Sequence, residues 1–274
     1  MIRSVLAASV IALGAAACAT SMQPVRTAAT PVQAQDSYYV KAHNAVAARA
    51  AERGTGRAKN VILFVGDGMG ISTITAARIY AGQQKGLDGE SYQLAMEKLP
   101  YSAFSKTYTH DSQVADSAPT AVAMTTGVKS YNGSLGVTQG ANIKDCATAK
   151  GNGTTSLWEI AEDAGLATGV ISTARVTHAT PGATYAETTE RDWEGDADVS
   201  AAGKAAGCVD IAAQFAAWQG AHGNGFDVVL SGGRSNFLPN TMADPEYPSQ
   251  KGRRLDGRNL MDEWKAGAPN RTTV

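Results

Sequence analysis

A run of five apolar residues, Val61 to Val65, directly precedes the turn Gly66-Asp67-Gly68. The run is too short for a buried helix, and its lack of polar alternation is typical of a strand covered on both faces. Ile71 to Ala81 then shows the apolar spacing of a helix that ends at Gly82. The sequence therefore predicts a central buried strand, a tight turn and a helix, which is how a βαβ unit begins.

The same alternation continues along the chain and predicts a three-layer α/β/α sandwich with a largely parallel central sheet. Ser156 and Glu159 have the spacing of a capping box, and Gly165 stands where that helix should end. An Ala-rich helix that stops at Gly54 is expected to be an outlying arm. We predict strands at Ala103–Thr109, Thr168–Ser172 and Phe226–Ser231, and helices at Tyr38–Arg53, Ser117–Thr126, Ser156–Ala164, Val199–Trp218 and Leu260–Trp264.

The first 18 residues predict a secretory signal peptide, with one positive charge at Arg3, an apolar run and small residues before Cys18. The apolar run is shorter than the roughly 20 residues of a membrane-spanning helix. The small residues before Cys18 resemble a bacterial lipobox, which predicts lipidation there, with ordinary signal cleavage as the alternative. We expect residues 19–36 to be a flexible tether and 37–274 the folded domain. The protein is expected to be exported, to the bacterial periplasm or as an outer-membrane lipoprotein.

Export implies an oxidising compartment, and two cysteines follow the leader, Cys146 and Cys208. A disulfide between them is predicted, with two buried thiols as the alternative. Cys208 has helical spacing to Ile211, Phe215 and Trp218, and we expect that stripe to face the core.

The charge balance and the absent motifs exclude several functions. The chain of 274 residues has 24 basic and 25 acidic side chains, so it lacks the basic excess of a nucleic-acid-binding protein. It contains no Gly-x-x-x-x-Gly-Lys-Ser/Thr, His-Glu-x-x-His, Cys-x-x-Cys or Gly-x-Ser-x-Gly motif. The remaining candidates are acidic and hydroxyl residues that follow predicted strands, where ligands bind in open α/β sheets.

Asp67 is the first candidate, and it is interpreted either as a metal ligand or as a loop or capping aspartate. Asp116 and Ser117 begin a predicted helix, whose positive end favours an alkoxide or a bound phosphate at Ser117; plain helix capping is the alternative. His178 and Thr180 follow a strand and reach the same edge of the sheet, unless His178 is simply solvated in the Pro-Gly turn. Arg191 by itself is typical of a surface charge.

Four segments together closely resemble the alkaline phosphatase family: Asn60–Gly70, Asp116–Val137, Ser172–Thr184 and Arg191–Val199. The stretch from Asp116-Ser117-Ala118 to Gly136-Val137 resembles that family's nucleophile signature. The resemblance implies that Ser117 is the nucleophile and forms a phosphoserine. It also implies that Arg191 grips the non-transferring phosphate oxygens and that Asp116 orients Arg191.

The resemblance further implies a cofactor set of two Zn²⁺ ions and one Mg²⁺ ion. Asp67 would bridge one zinc and the magnesium, Ser117 would meet a zinc, and Thr180 would be a second magnesium ligand. His178 stands where bacterial members often have Asp and animal members have His. Phosphate monoesters would be the substrates, and a homodimer would be the assembly.

The chain departs from the family in its metal ligands. Most of them lie downstream in the family, and those motifs are absent here; His222, the one histidine after Arg191, matches no ligand position. Because a catalytic zinc needs three or four protein ligands, we expect a fragment whose sheet is incomplete at the C-terminus and whose own activity is doubtful. The alternatives are a phosphodiesterase or sulfatase of the same superfamily, or a catalytically silent phosphate-binding protein.

Overall fold

The computed structural model describes residues 57–267, together with residues 40, 44–48 and 51. The chain divides into two compact units: Met1–Lys59 with Ala95–Ser102, and Asn60–Leu94 with Ala103–Val274. In the first unit, residues 40, 44–48 and 51 are helical and Ala95–Lys98 is a 3₁₀ turn. The remainder of the predicted helix Tyr38–Arg53, the signal peptide with Cys18, and the tether lie outside the described residues.

The second unit mixes helices with a short parallel sheet. Its helices are α1 (Ile71–Gln83), α2 (Ser117–Thr126), α3 (Leu157–Asp163), α4 (Ala179–Gly182), α5 (Ala201–Ala205), α6 (Ile211–Ala221) and α7 (Leu260–Ala266); its strands are β1 (Gly169–Arg175) and β2 (Val228–Gly232). Two 3₁₀ turns complete it, Cys146–Thr148 and Arg234–Asn236. Among the described residues, no helix is long and apolar enough to cross a bilayer.

The sheet pairs β1 with β2 in parallel, with Val170 opposite Val229 and Ile171 opposite Leu230. The chain reaches β2 from β1 through α4, α5 and α6, as parallel pairing requires. The sheet is not closed, and side chains on one of its faces, such as Ile171 and Leu230, are exposed. The α/β class, the parallel pairing and the incomplete sheet are therefore as predicted.

The predicted buried strand at Val61–Val65 is wrong. The segment has no strand geometry, and Val61 and Phe64 are 88% and 89% exposed. A strand needs a neighbour that satisfies its backbone hydrogen bonds, and no strand in the described part of the chain pairs with residues 61–65. Leu63 and Val65 instead line, with Val170 and Ser172 of β1, a cavity of about 140 Å³ that separates the run from the sheet.

Two further predictions fail for related reasons. Ala103–Thr109 is not a strand, and Phe104 in it is 95% exposed. The single helix predicted over Val199–Trp218 is two helices, because Gly207 turns the chain at a positive φ of 80° and Asp210 caps α6. Cys208 therefore lies in the connection and not on a helical stripe.

The helices whose sequences carry their own start and stop signals match the predictions. Ser156 and Glu159 form the capping box of α3, and α2 spans Ser117–Thr126 as predicted. Gly127 ends α2 in the left-handed region, at φ 78°. Cys146 and Cys208 form a disulfide, as predicted.

The core lies where α2, α4 and α6 cover one face of the sheet. Ala118, Val122 and Ile211 are almost fully buried there, and Phe215 stacks with Phe226 beneath them. Helices α2 and α4 pack against each other, and α4 also contacts β1.

A buried arginine ties the C-terminal part of the described chain to this core. The side chain of Arg254 is completely buried; its Nη1 and Nη2 atoms donate to Asp210 over 2.9 and 3.1 Å, and it also binds Asp256. Burial opposes the guanidinium charge, but these carboxylates outweigh that effect and raise the pKa of Arg254. Removing one partner would leave a buried charge uncompensated, so the cluster fixes the cap of α6 in place.

Candidate active site

Ser117 is the first residue of α2, and its position follows from the cap before it. Asp116 has extended backbone angles, and its Oδ1 atom accepts the backbone N–H of Ala118 over 2.7 Å. The unpaired N–H groups at this end of the helix give it a partial positive charge. The half-buried hydroxyl of Ser117 therefore lies where an anion is favoured.

Arg191 reaches Ser117 from a loop 74 residues further along the chain. Its Nη1 atom donates to Oγ of Ser117 over 3.0 Å and lies 3.5 Å from Oδ1 of Asp116. The Arg191 side chain is 20% exposed, so its guanidinium is largely removed from water yet still open to a ligand. This is the geometry of a fork that can hold oxygens of a phosphate next to the hydroxyl.

His178 extends this cluster on the other side of the guanidinium. Its Nε2 atom lies 3.3 Å from Nη2 of Arg191, and its Nδ1 atom is buried without a hydrogen-bond partner. The solvated-histidine alternative therefore does not hold, because the ring is half-buried against Arg191. A buried ring nitrogen without a partner is a site where a donor or a cation could bind.

Asp67 and Thr180 form a second contact. Oγ1 of Thr180, in α4, donates to Oδ2 of Asp67 over 2.9 Å, although 113 residues separate them. Asp67 lies in a turn in which the N–H of Met69 donates to the carbonyl of Gly66, with Gly68 at φ 67°. Because Thr180 follows His178 by two residues, α4 brings both contacts to one side of the unit.

The donor set fits magnesium better than zinc. Mg²⁺ takes oxygen ligands and commonly uses only one or two carboxylates with several waters, and Asp67 with Thr180 supplies such oxygens. Catalytic zinc needs three or four protein ligands. In the described ranges, no group of three or more His, Cys, Asp or Glu residues could hold a metal ion, so the zinc pair does not fit the residues present.

One carboxylate beside the cluster has a shifted pKa. Glu194 accepts two hydrogen bonds from Arg175, over 2.7 and 2.6 Å, and one from Thr177 over 2.6 Å. Its burial opposes ionisation, but these hydrogen bonds outweigh that effect and lower the pKa of Glu194.

Asn132 and Gly133 lie inside the segment Asp116–Val137 that carries the resemblance, but the sequence predicted no role for either. The amide oxygen of Asn132 accepts the N–H of Asp116 over 3.2 Å, and the carbonyl of Gly133 accepts the N–H of Arg191 over 2.7 Å. A short amide side chain next to a glycine is typical of any turn. The one signal that could have found them is their place inside that segment.

Comparison with known proteins shows which family the chain resembles. The family model described as alkaline phosphatase matches residues 58–271. The chain is 47% identical to an alkaline phosphatase of Gadus morhua over 211 residues, which is 76% of this chain and 43% of that protein. It is 45% identical to the tissue-nonspecific isozyme of Homo sapiens over 219 residues, 78% of this chain and 41% of that protein.

A solved structure gives the same result for the fold. The alkaline phosphatase of Thermus thermophilus superposes with a TM-score of 0.55 at 28% identity, over 77% of this chain and 36% of that one. The chain thus spans well under half the length of the relatives that it matches.

Proposed function

The chain belongs to the alkaline phosphatase family, and from that membership we propose that it hydrolyses phosphate monoesters through Ser117 and Arg191. The observation that carries the proposal is the 3.0 Å contact between Nη1 of Arg191 and Oγ of Ser117 at the start of α2. A hydroxyl, a guanidinium fork and a helix N-terminus that meet at one point are the groups that phosphoryl transfer asks for, because its catalysis is mostly positioning and charge stabilisation.

The proposed reaction has two displacements at phosphorus. In the first, Oγ of Ser117 forms a bond to phosphorus, the ester P–O bond breaks, and the alcohol leaves with the proton that the serine gave up. In the second, water attacks the phosphoserine, the Oγ–P bond breaks, and inorganic phosphate leaves while the serine regains a proton. The sum is ester plus water to alcohol plus phosphate, with a covalent intermediate on Ser117.

Arg191 and Asp116 have supporting roles in this proposal. The guanidinium holds two non-bridging oxygens of the phosphoryl group, and the Asp116 carboxylate, 3.5 Å from Nη1, limits where the guanidinium can point. The N–H groups at the start of α2 add partial positive charge on the side of the transferring group.

The family is metal-dependent, and the described residues fit only part of its metal set. We propose that Asp67 and Thr180 hold Mg²⁺, with His178 beside them; when bound, the ion would supply positive charge near the phosphate site. One of the two Zn²⁺ ions expected from the resemblance would lie at Asp67 and Ser117, but the described residues offer neither ion a group of three His, Cys, Asp or Glu ligands. No step is therefore derived through zinc.

We also propose that these 274 residues are the N-terminal part of a longer enzyme. The support is the coverage of 43% and 41% of two relatives and the open sheet. We propose export to the periplasm or anchoring at the outer membrane through lipidated Cys18, and a homodimer in the complete protein.

A second function is favoured by one observation, the lack of a three-residue metal group among the residues that the structure describes. The chain alone would then bind phosphate at Arg191 and Ser117 without turnover. Both functions use the same contact, so they differ only in whether the phosphoserine forms.

The experiment traps that intermediate. The purified chain is incubated with a chromogenic phosphate monoester in Zn²⁺ and Mg²⁺, quenched in acid, and its peptides are weighed by mass spectrometry. We expect one phosphoryl group on the peptide that contains Ser117, none in Ser117→Ala, and an unchanged yield in Ser249→Ala, which removes an exposed hydroxyl elsewhere.

Calorimetry with inorganic phosphate completes the test. The second function would be favoured if the wild-type chain binds phosphate but forms no phosphoserine, and if Arg191→Ala abolishes that binding. Neither binding nor phosphoserine would overturn both.

A further inference from the structure

The turn Tyr131–Ser134 lies between the two partners of the site, and its backbone holds one of them. The carbonyl of Gly133 accepts the N–H of Arg191 over 2.7 Å. Next to it, Leu135 and Thr188 exchange two backbone hydrogen bonds of 2.8 Å each, as an antiparallel bridge. Three main-chain hydrogen bonds therefore fix the backbone at Arg191 to the chain at residues 133–135.

The side chain of Asn132 holds the other partner. Its Oδ1 atom accepts the N–H of Asp116 over 3.2 Å, and its Nδ2 atom donates to the carbonyl of Val114 over 3.2 Å. The backbone N–H of Asn132 donates to Oδ1 of Asp111 over 3.0 Å. The loop that leads into Ser117 is thus attached to this turn at three points.

An amide side chain is suited to this task because it can accept and donate at the same time. Asn132 uses both capacities: it accepts from Asp116, the cap of α2, and it donates to Val114, two residues before that cap. Ser117 is the first residue of that helix, so a shift at Asp116 moves its hydroxyl relative to Arg191. In phosphoryl transfer, a misplacement of about 1 Å can cost on the order of a hundredfold in rate.

We propose that Asn132 is a positioning residue: its amide fixes the chain before Ser117 to the turn that carries Arg191, and so sets the separation of the hydroxyl and the guanidinium. The proposal rests on the proposed function, since it serves the same phosphate site. Its role is indirect, because it acts through Asp116, whose N–H its amide accepts, and through the neighbouring Gly133, whose carbonyl accepts the N–H of Arg191.

The test compares three variants of the whole chain. Asn132→Ala removes both amide contacts. Asn132→Asp keeps an acceptor for the N–H of Asp116 and loses the donor to Val114. Asn259→Ala is the matched control, because the amide of Asn259 also donates and accepts hydrogen bonds, but its partners are Asp262 and Met242 in and beside α7.

Two readouts are measured with each variant: the affinity for inorganic phosphate in Zn²⁺ and Mg²⁺, and amide hydrogen exchange over residues 114–118. For Asn132→Ala we expect phosphate affinity to fall on the order of tenfold and exchange at Asp116 to rise about fivefold. Asn132→Asp should recover much of the Asp116 protection. Asn259→Ala should lower the midpoint of urea unfolding about as much as Asn132→Ala does, but it should leave phosphate affinity and the exchange over residues 114–118 unchanged.

The possible outcomes distinguish a failure of the positioning role from a failure of the proposed function. Phosphate affinity equal to wild type in Asn132→Ala, or a loss that Asn259→Ala reproduces, would overturn the positioning role. If the wild-type chain binds no phosphate, the proposed function fails. Hydrogen exchange then still decides whether Asn132 fixes the chain before Ser117: unchanged exchange at residues 114–118 would refute it, and faster exchange confined to them would support it.

Discussion

The Nη1 atom of Arg191 lies 3.0 Å from the hydroxyl oxygen of Ser117, across a sequence distance of 74 residues. The turn at residues 131–134 and the packing of α2 on α4 hold the two residues together. A preformed pair of this kind pays little reorganisation cost when an anion arrives.

Arg191→Lys should weaken phosphate binding although it keeps the charge. A lysine has no planar fork and cannot give two parallel hydrogen bonds, and a hydrogen bond to a charged group is worth about 1.5–3 kcal/mol. We expect a loss of about 10- to 100-fold in affinity for inorganic phosphate by calorimetry. Arg258→Lys, at an exposed pair with Glu263, is the control. Equal affinities in the two variants would contradict the fork.

Asp67→Asn should remove a stabilising effect of Mg²⁺. A ligand that binds only the folded state at one hundred times its Kd adds about 2.7 kcal/mol to stability. We expect added Mg²⁺ to raise the melting temperature of the wild type and of Asp262→Asn, but to have little effect on Asp67→Asn. A magnesium shift that is the same in all three proteins would show that Asp67 is not a ligand.

Gly136→Ala should destabilise the site more than Gly127→Ala. Both glycines have positive φ, at 58° and 78°, so both substitutions strain the backbone. A Cβ at Gly136 would also lie 2.2 Å from the carbonyl oxygen of Ala186, whereas nothing lies within 4 Å at Gly127. We expect losses of about 3 kcal/mol and about 1 kcal/mol in urea unfolding. Equal losses would mean that the chain near Ala186 moves freely.

Glu194→Gln should flatten the acid limb of the stability curve. The pKa of Glu194 is lowered in the folded protein, because the hydrogen bonds from Arg175 and Thr177 outweigh the opposing effect of burial. Its contribution is therefore complete above the unfolded value of about 4.3 and is lost as the pH falls through the folded pKa. Urea unfolding between pH 6 and pH 3 should show a smaller fall for Glu194→Gln than for wild type. Parallel curves would argue against this linkage.

Reduction of the disulfide between Cys146 and Cys208 should cost about 2–4 kcal/mol of stability, because the bond removes freedom from the unfolded chain. The double variant Cys146→Ser/Cys208→Ser should match reduced wild type in urea unfolding. Reductant should leave the double variant unchanged, and any effect there would point to a cause other than this bond.

Local signals made some of this structure predictable. The start of α2 could be predicted because its cap is local: Asp116 accepts the N–H of Ala118, two residues further along the chain. The capping box at Ser156 and Glu159 is local in the same way. Residues 199–218 show the limit: their apolar spacing predicts one continuous helix, whereas Gly207 and Asp210 end one helix region and cap the next.

Contacts between distant segments could not be derived from spacing. Ser117, Arg191, Asp67 and Thr180 were grouped through a family resemblance, and the structure brings them into two contacts. The run at Val61–Val65 was predicted to be buried because it is apolar, but burial depends on partners, and the described chain does not pair a strand with it. Asn132 escaped prediction because a turn asparagine has many uses.

The uncovered face of the β1–β2 pair favours self-association of this polypeptide. Ile171 and Leu230 are 74% and 57% exposed there. Phe64, which shortly precedes Asp67 in the sequence, is 89% exposed. Burying such a surface between two molecules lowers the free energy, so self-association is favoured at high protein concentration. Titrations of this chain should therefore be repeated at two protein concentrations, so that an effect of self-association is recognised.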